Sequence, residues 1–261
     1  MKNKIKKIII ILMIISVVTA VMSKEKSITA SRVISEEPVI VIDAGHGGID
    51  GGATAEDGTL EKDLNLKVAK ALEKKAKEYP VKVIMTRNSD EGLYGKEGTI
   101  RSKKRADLLK RKEIIDDENV DLVVSIHMNN FALDESVYGA QVFYPPETNK
   151  RTNELFSEHT AASYAENVQK ALEINISDGR ERTAMEKNDI LIFEEPKSPI
   201  ILIECGFLSN KKELERLKTA EYQGVLANAI WDGINANLCL KKKEKIEIIN
   251  SANKKQKVIK N

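Results

Sequence analysis

The chain has 261 residues, of which 41% are hydrophobic and 31% charged, a composition that suits one soluble globular domain with short extensions. The overall charge is +2, but residues 1–7 carry +4 and residues 241–261 carry +6, which leaves −8 for residues 8–240. A nucleic-acid-binding core should be basic on at least one face, so this distribution argues against nucleic acid as a partner.

Both ends of the chain differ in composition from the middle. Residues 1–22 contain four lysines followed by an uncharged run over 8–22. This run is shorter than the ~20 residues of a full membrane span, and the combination is typical of a signal peptide or a signal anchor. The polar residues 23–37 predict a linker, and the lysine-rich residues 241–261 predict a basic disordered tail. We therefore expect an exported protein that meets a membrane only through its N-terminal segment.

Between these ends, apolar strands alternate with amphipathic helices. Residues 39–42 predict a strand that leads into a glycine cluster, and an apolar residue at every fourth position predicts a helix over about 60–78, with Thr59 as its N-cap. Further strands are predicted at 81–86, 122–126, 140–144, 190–193 and 199–203, a surface loop at 88–104, and further helices at 105–118, 152–174 and 220–238. This alternation predicts a single α/β domain over 38–240.

Several notable residues have structural interpretations. Cys205 and Cys239 set no disulfide framework in a domain of this size, and we interpret both as small buried apolar residues. His159 lies in a polar helical stretch and is expected at the surface. The glycine run GHGGIDGGA fits neither phosphate-binding motif, because Asp50 and Ala53 stand where a glycine and a lysine are required.

Two histidines and two glutamates fall at the ends of predicted elements. His46 follows the first strand and His127 follows the strand at 122–126, so both can reach the same edge of one sheet. Glu61 begins the first helix, and Glu204 follows the strand at 199–203. Two imidazoles and one carboxylate suffice for a catalytic zinc ion, and a second carboxylate can serve as the proton acceptor in hydrolysis.

Each of these four residues, taken singly, has an alternative interpretation. His46 could stabilise a turn, and His127 could be a hydrogen-bonded core residue. Glu61 could serve only to stabilise the first turn of its helix by interacting with the helix dipole. Glu204 is harder to explain in this way, because it interrupts a strongly apolar strand and a buried carboxylate without a partner is costly.

Four blocks of the sequence, taken together, resemble the zinc-dependent N-acetylmuramoyl-L-alanine amidases of family 3. The blocks are IDAGHGGIDGGA, LEKDLNL, SIHMNN and IECGFLSN, in the order and with the spacing of that family. The first block often has a proline where this chain has Ala44, and the last often has valine or threonine where it has Cys205. Neither difference removes a metal ligand. The resemblance covers about residues 38–240 and implies a mixed, mainly parallel sheet with helices on both faces.

The resemblance also implies roles for individual residues. His46, Glu61 and His127 match the zinc ligands, and Glu204 matches the catalytic acid and base. The expected reaction is hydrolysis of the amide bond between N-acetylmuramic acid and L-alanine in peptidoglycan. Asp43 and Asn129 flank the ligands, and two interpretations stay open for them: they orient the imidazoles, or they form turn-stabilising hydrogen bonds.

Further segments resemble the spore-cortex amidases of the CwlD type, namely MTRNSD, RSKKRADLLKR and GAQVFY. That resemblance implies a function in forming muramic-δ-lactam, with action in the cell wall or the forespore intermembrane space. Peptidoglycan is then the expected partner, and a protein activator is an additional candidate. Two rival functions stay open: a zinc peptidase that cuts within the stem peptide, and a wall-binding protein whose structural zinc includes Cys205.

Overall fold

The computed structural model of the chain describes residues 37–117, 119–146, 160–176, 179 and 181–243. The strands are β1 (Val39–Ala44), β2 (Lys82–Met85), β3 (Leu122–Asn129), β4 (Gln141–Tyr144), β5 (Met185–Glu186) and β6 (Ile200–Phe207). The helices are α1 (Glu61–Ala76), α2 (Ile100–Ile115), α3 (Ala161–Ile176), α4 (Lys211–Leu217) and α5 (Ala220–Leu238). All of these elements belong to one compact unit, Pro38–Asn261.

The strands form one six-stranded sheet in the order β2-β1-β3-β6-β4-β5. Strands β2, β1, β3 and β6 are parallel, β4 is antiparallel to β6, and β5 is parallel to β4. The sheet is therefore mixed and mainly parallel, which confirms the predicted α/β fold. Because ligands of such sheets bind beyond the carboxyl ends of the parallel strands, the ends of β1, β3 and β6 define the edge of interest.

Helices cover both faces of the sheet. The larger core lies on the face covered by α1, α3 and α5, where Leu64, Val168 and Trp231 are fully buried. A Cβ atom on Gly233 would lie 2.4 Å from the Cα atom of Val168, so glycine permits α3 and α5 to pack closely. The smaller core lies on the opposite face, where Ile115 of α2 packs with strand residues.

The predicted elements are mostly present, with shifted boundaries. Helix α5 has the predicted bounds, but α2 begins at Ile100, so the last residues of the predicted loop 88–104 are helical. The predicted strand at 190–193 is wrong: Leu191–Phe193 forms a 3-10 helix, because a short apolar run can be buried in either conformation. The short strand β5 and helix α4 were not predicted.

The N-cap of α1 also differs from the prediction. The cap residue is Leu60 and not Thr59, and no side chain caps the helix. Instead, the glycine loop supplies the acceptors, because the N–H groups of Glu61 and Lys62 donate to the carbonyl oxygens of Ala53 and Gly51. The start of α1 is thereby joined to the loop that carries His46.

Some predictions concern residues outside the described part of the chain. These are the signal or anchor segment 1–22, most of the linker 23–37, residues 152–159 of the helix predicted at 152–174 (with His159 among them), and most of the tail 241–261. In the described part, no helix has the length and apolarity needed to cross a bilayer.

Candidate metal and catalytic site

The structure brings His46, Glu61 and His127 together at the predicted edge of the sheet. The Oε1 atom of Glu61 lies 3.3 Å from Nε2 of His46 and 3.0 Å from Nδ1 of His127. One possible ligand atom from each of the three residues lies within 4.8 Å of the others. The two imidazole rings have centroids 5.0 Å apart and stand at 80° to each other, so their nitrogens converge without stacking.

These three residues arrive from three different elements. His46 lies in the loop after β1 with a left-handed backbone (φ 60°), Glu61 is the first residue of α1, and His127 lies within β3. His127 and Glu204 were expected just beyond their strands, but β3 and β6 continue past both residues. Polar side chains are tolerated inside these strands because His127 and Glu204 are only half-buried at this end of the sheet.

Backbone and side-chain donors hold the Glu61 carboxylate in place. Its Oε2 atom accepts from the N–H of Ala53 at 2.8 Å, and its Oε1 atom accepts from Asn65 Nδ2 and from the N–H of Met128, both at 3.2 Å. Burial acts to raise the pKa of Glu61, but the hydrogen bonds and charges of His127 and His46 lower it well below its usual range. Glu61 is therefore ionised, as a metal ligand must be.

Two glycines permit the close approach of these side chains. A Cβ atom on Gly45 would lie 2.3 Å from the imidazole of His127, and one on Gly52 would lie 2.4 Å from Oε2 of Glu61. Both distances are far shorter than a van der Waals contact. The glycine loop thus lets the backbone pass beside the ligand cluster, as its sequence suggested.

Asp50 fixes the orientation of His46. Its Oδ2 atom lies 2.8 Å from Nδ1 of His46, which turns the opposite nitrogen, Nε2, toward Glu61. Lys104 of α2 in turn lies 2.6 Å from Oδ1 of Asp50. Burial acts to lower the pKa of His46, but the carboxylates of Glu61 and Asp50 raise it to about 9. A carboxylate behind a ligating imidazole is a common feature of zinc sites.

Asp43, one of the two residues considered for that orienting position, has different contacts. It is 2% exposed and accepts from Ser125, Thr86 and Arg111, each at 2.7 Å. Burial acts to raise its pKa, but the Arg111 charge and the two hydroxyl groups lower it. Asp43 thus anchors Arg111 beneath the loop, and the carboxylate that orients His46 from behind is that of Asp50.

Asn129, the other residue considered, makes a local contact. Its Oδ1 atom accepts from the N–H of Asn130 at 2.8 Å, and its carbonyl oxygen accepts from the N–H of Leu208. The side-chain contact is of the kind that the turn-stabilising alternative describes, whereas the carbonyl contact joins the ends of β3 and β6.

Two arginines, which the sequence analysis did not select, bind the carbonyl groups of the metal-site loop. Arg111 and Arg87 are each 2% exposed. Arg111 donates to the carbonyl oxygens of Ala44 and His46, and Arg87 donates to those of Ala44 and Gly45. Three consecutive carbonyl groups are therefore bound by buried cations, which fixes the path of the backbone into His46.

Glu204 lies beside His127 on the neighbouring strand. The two residues are register partners in the parallel pair β3 and β6, so their side chains leave the same face of the sheet. The Oε2 atom of Glu204 is buried and has no hydrogen-bond partner among the described residues. Burial raises the pKa of Glu204, and the charge of Glu61 acts in the same direction. Both features suit a group that exchanges protons.

The cysteines do not contribute to the site. Cys205 is fully buried in the larger core, on the face opposite to Glu204, and burial raises its thiol pKa, so it is not placed to ligate a metal at His46. Cys239 was expected to be buried, but this was wrong: it is exposed at the C-terminal end of α5, where its backbone is left-handed (φ 53°).

The donor set fits zinc. Two imidazoles and one ionised carboxylate are a known ligand combination for catalytic Zn²⁺, which leaves one coordination position open. The Glu61 carboxylate lies close to both imidazoles, so its negative charge favours a cation at this point, and the same charge raises the pKa of His46 to about 9.

Comparison with known proteins agrees with this geometry. Residues 40–236 match the model of the N-acetylmuramoyl-L-alanine amidase family. The germination-specific N-acetylmuramoyl-L-alanine amidase of Bacillus subtilis (strain 168) is 35% identical over 204 residues, which are 75% of this chain and 78% of that protein.

Solved structures of similar proteins have the same fold. The CwlD amidase from Clostridioides difficile, solved in complex with the GerS lipoprotein, is 37% identical with a TM-score of 0.71, over 78% of this chain and 99% of that one. An N-acetylmuramoyl-L-alanine amidase from Clostridium difficile 630 is 28% identical with a TM-score of 0.64, over 78% and 98%. The chain therefore belongs to the N-acetylmuramoyl-L-alanine amidase family, whose members are enzymes that act on peptidoglycan.

Proposed function

We propose that this amidase is zinc-dependent, with His46, Glu61 and His127 as the metal ligands and Glu204 as the general acid and base. The observation that carries the proposal is the convergence of one donor atom from each of the three residues to within 4.8 Å, with Glu204 on the adjacent strand. The bond hydrolysed joins the lactyl carbonyl of N-acetylmuramic acid to the amine of L-alanine.

Different residues of the protein serve different steps of the proposed reaction. A bound zinc ion would polarise the carbonyl group and make water a better nucleophile near neutral pH. Glu204 accepts the proton of the attacking water and then gives it to the leaving amine, for which a raised pKa is favourable. Asp50 and the donors around Glu61 keep the ligands in one orientation, so little reorganisation accompanies the reaction.

We also propose a function in spores. Support comes from the germination-specific relative at 35% identity and from the CwlD amidase at 37% identity. The chain would remove the stem peptide from muramic acid in the spore cortex, so that muramic-δ-lactam can form there. This function requires action outside the cytoplasm, for which residues 1–22 would be the export signal or anchor, 23–37 the linker, 38–240 the catalytic domain and 241–261 a basic tail.

A protein activator is part of the proposal. The solved CwlD amidase is in complex with a lipoprotein, and this chain aligns with 99% of that chain. A partner of the same type is therefore proposed for this chain, in addition to its peptidoglycan substrate.

Mass spectrometry of defined muropeptides tests the function. The purified protein, loaded with zinc, should release peptides that begin with L-alanine and leave intact muramic acid. Glu204→Gln should keep zinc bound but lower the turnover at least ~100-fold. Glu166→Gln is the matched control, because Glu166 is exposed on α3. Cleavage inside the stem peptide would instead identify a peptidase, and a normal rate for Glu204→Gln would remove Glu204 from the mechanism.

A further inference from the structure

A tight turn over residues 47–50 connects His46 to the carboxylate that orients it. The N–H groups of Gly47 and Asp50 each donate to the carbonyl oxygen of the other residue, at 2.9 and 3.0 Å. The two glycines of the turn have no side chain, and Ile49 is 42% exposed. Hydrophobic packing therefore contributes little to the position of this turn, which depends mainly on hydrogen bonds.

The loop over residues 89–98, which precedes α2, binds the backbone of this turn. The N–H of Ile49 donates to the hydroxyl oxygen of Tyr94 at 2.8 Å, and the N–H of Gly48 donates to Oδ1 of Asp90 at 2.9 Å. A Cβ atom on Gly48 would lie 2.3 Å from the Tyr94 hydroxyl oxygen, so glycine permits this close approach. The 89–98 loop thus holds the turn at two consecutive residues.

Lys62, the residue after the metal-ligand candidate Glu61, takes part in the same contacts. Its Nζ atom donates to Oδ2 of Asp90 at 2.7 Å and to the carbonyl oxygen of Gly48 at 2.8 Å. The Lys62 side chain is 11% exposed, so this ion pair is largely shielded from water on the lysine side. The start of α1, the turn and the 89–98 loop are therefore joined at one place.

The loop is itself fixed to the two buried arginines. The N–H of Leu93 donates to Oδ1 of Asp107 at 2.5 Å, and Oδ2 of Asp107 accepts from Nε of Arg111 at 2.6 Å. Nη1 of Arg87 donates to the carbonyl oxygen of Ser89 at 3.0 Å. The arginines thus hold the backbone that enters the metal site and also anchor the loop that holds the backbone leaving it.

We infer that Tyr94 and Asp90 are positioning residues for the zinc site, because they hold the 47–50 turn and thereby keep the Asp50 carboxylate behind His46. The inference rests on the proposed function, since it concerns the zinc affinity of the proposed ligands. The Asp50 carboxylate lies 2.8 Å from Nδ1 of His46. A carboxylate in this place keeps the imidazole in one orientation, which reduces the reorganisation that accompanies metal binding.

A double-mutant cycle on zinc affinity tests this inference, with competition against a chelator as the measurement. Tyr94→Phe removes the acceptor of the Ile49 N–H and should weaken zinc binding about fivefold, the effect of one hydrogen bond. Asp50→Ala should weaken it about 10- to 100-fold. In the Asp50→Ala background, Tyr94→Phe should change the affinity by less than about twofold, because the carboxylate that Tyr94 positions is no longer present.

A second variant and two controls complete the experiment. Asp90→Ala should weaken zinc binding about five- to tenfold, and this loss should also disappear in the Asp50→Ala background. Tyr79→Phe removes the same hydroxyl group beyond the far end of α1, a helix of 16 residues and therefore about 24 Å long. Glu97→Ala removes an exposed carboxylate from the 89–98 loop. Both controls should bind zinc within about twofold of the wild type.

Two outcomes would overturn the inference alone. Wild-type zinc affinity in both Tyr94→Phe and Asp90→Ala would show that the loop does not support the site. An equal loss from Tyr94→Phe with and without the Asp50 carboxylate would show that the hydroxyl group does not act through Asp50. Circular dichroism and urea unfolding of the metal-free variants ensure that folded proteins are compared, and two variants keep the inference testable if one folds poorly. A wild-type protein that binds no zinc would refute the proposed function itself, and the inference with it.

Discussion

Replacement of Arg111 by lysine tests whether buried charge holds the metal-site loop in place. The Nη1 atom of Arg111 donates to Asp43 and to the carbonyl oxygen of Ala44, each at 2.7 Å, and Nε donates to Asp107 at 2.6 Å. Nη2 donates to the carbonyl oxygen of His46. A lysine has a single charged nitrogen on a shorter reach and cannot bind in all of these directions.

The expected cost follows from the bonds that are lost. If two charge-assisted hydrogen bonds disappear at about 1.5 kcal/mol each, Arg111→Lys lowers the free energy of unfolding by about 3 kcal/mol. The control is Arg105→Lys on the same helix, because Arg105 is exposed, and a surface change of this kind stays within about 0.5 kcal/mol. Urea unfolding of the metal-free protein, with the slope compared between variants, measures both values.

Arg111→Lys should also weaken zinc binding, because the carbonyl group of His46 loses its donor. Competition with a chelator measures that affinity on protein that circular dichroism shows to be folded. An unfolding free energy for Arg111→Lys within about 0.5 kcal/mol of the wild type would refute the reasoning, since a buried network of this kind cannot be lost without cost.

Two further predictions concern the ligands. Gly45→Ala should weaken zinc binding at least tenfold in the chelator assay, because its Cβ atom would lie 2.3 Å from the His127 ring, whereas Gly95→Ala, with nothing within 4 Å, should leave the affinity unchanged. The raised pKa of His46, about 9, implies that its charged form stabilises the metal-free fold fully below pH ~6.5 and that this stabilisation is lost as the pH rises through about 9. Zinc must displace that proton, so its apparent affinity should rise about tenfold per pH unit between about pH 6.5 and 8.5, and an affinity that does not change with pH would contradict this assignment.

Much of the fold could be predicted from periodicity. The apolar stripe of α1 and the bounds of α5 follow from helical spacing, and the apolar runs before His46, His127 and Glu204 indicate buried parallel strands. The run at 190–193 could not be assigned correctly, because its burial depends on partners that are distant in sequence. Strand β5 has only two residues, too few for any pattern.

Some residues of the site could be predicted from the sequence and others could not. The metal-ligand candidates stand out because a histidine or a glutamate directly follows an apolar strand or begins a helix. The residues that support them were missed, because Arg111 and Asp107 look like ordinary charges on a polar helix until tertiary packing buries them. Asp50 had a usable signal, since it lies four residues after His46 across a tight glycine turn.

Glu213 of α4 is a further residue whose contacts could not be predicted from the sequence. Glu213 is 5% exposed, and its carboxylate accepts from the N–H groups of Phe207 and Gly139, which joins the end of β6 to the segment before β4. In the sequence it is one of several acidic residues near a helix start, and only the long-range contact with Gly139 reveals its function.

The most direct test of the account is anomalous diffraction at the zinc absorption edge from crystals of the zinc-loaded protein. A single zinc ion should bind Nε2 of His46, Nδ1 of His127 and a carboxylate oxygen of Glu61 at about 2.0–2.2 Å, with Glu204 beside it and not bound to it. Zinc bound elsewhere, or closed off by Glu204 or a cysteine as a fourth protein ligand, would contradict the proposed catalytic centre.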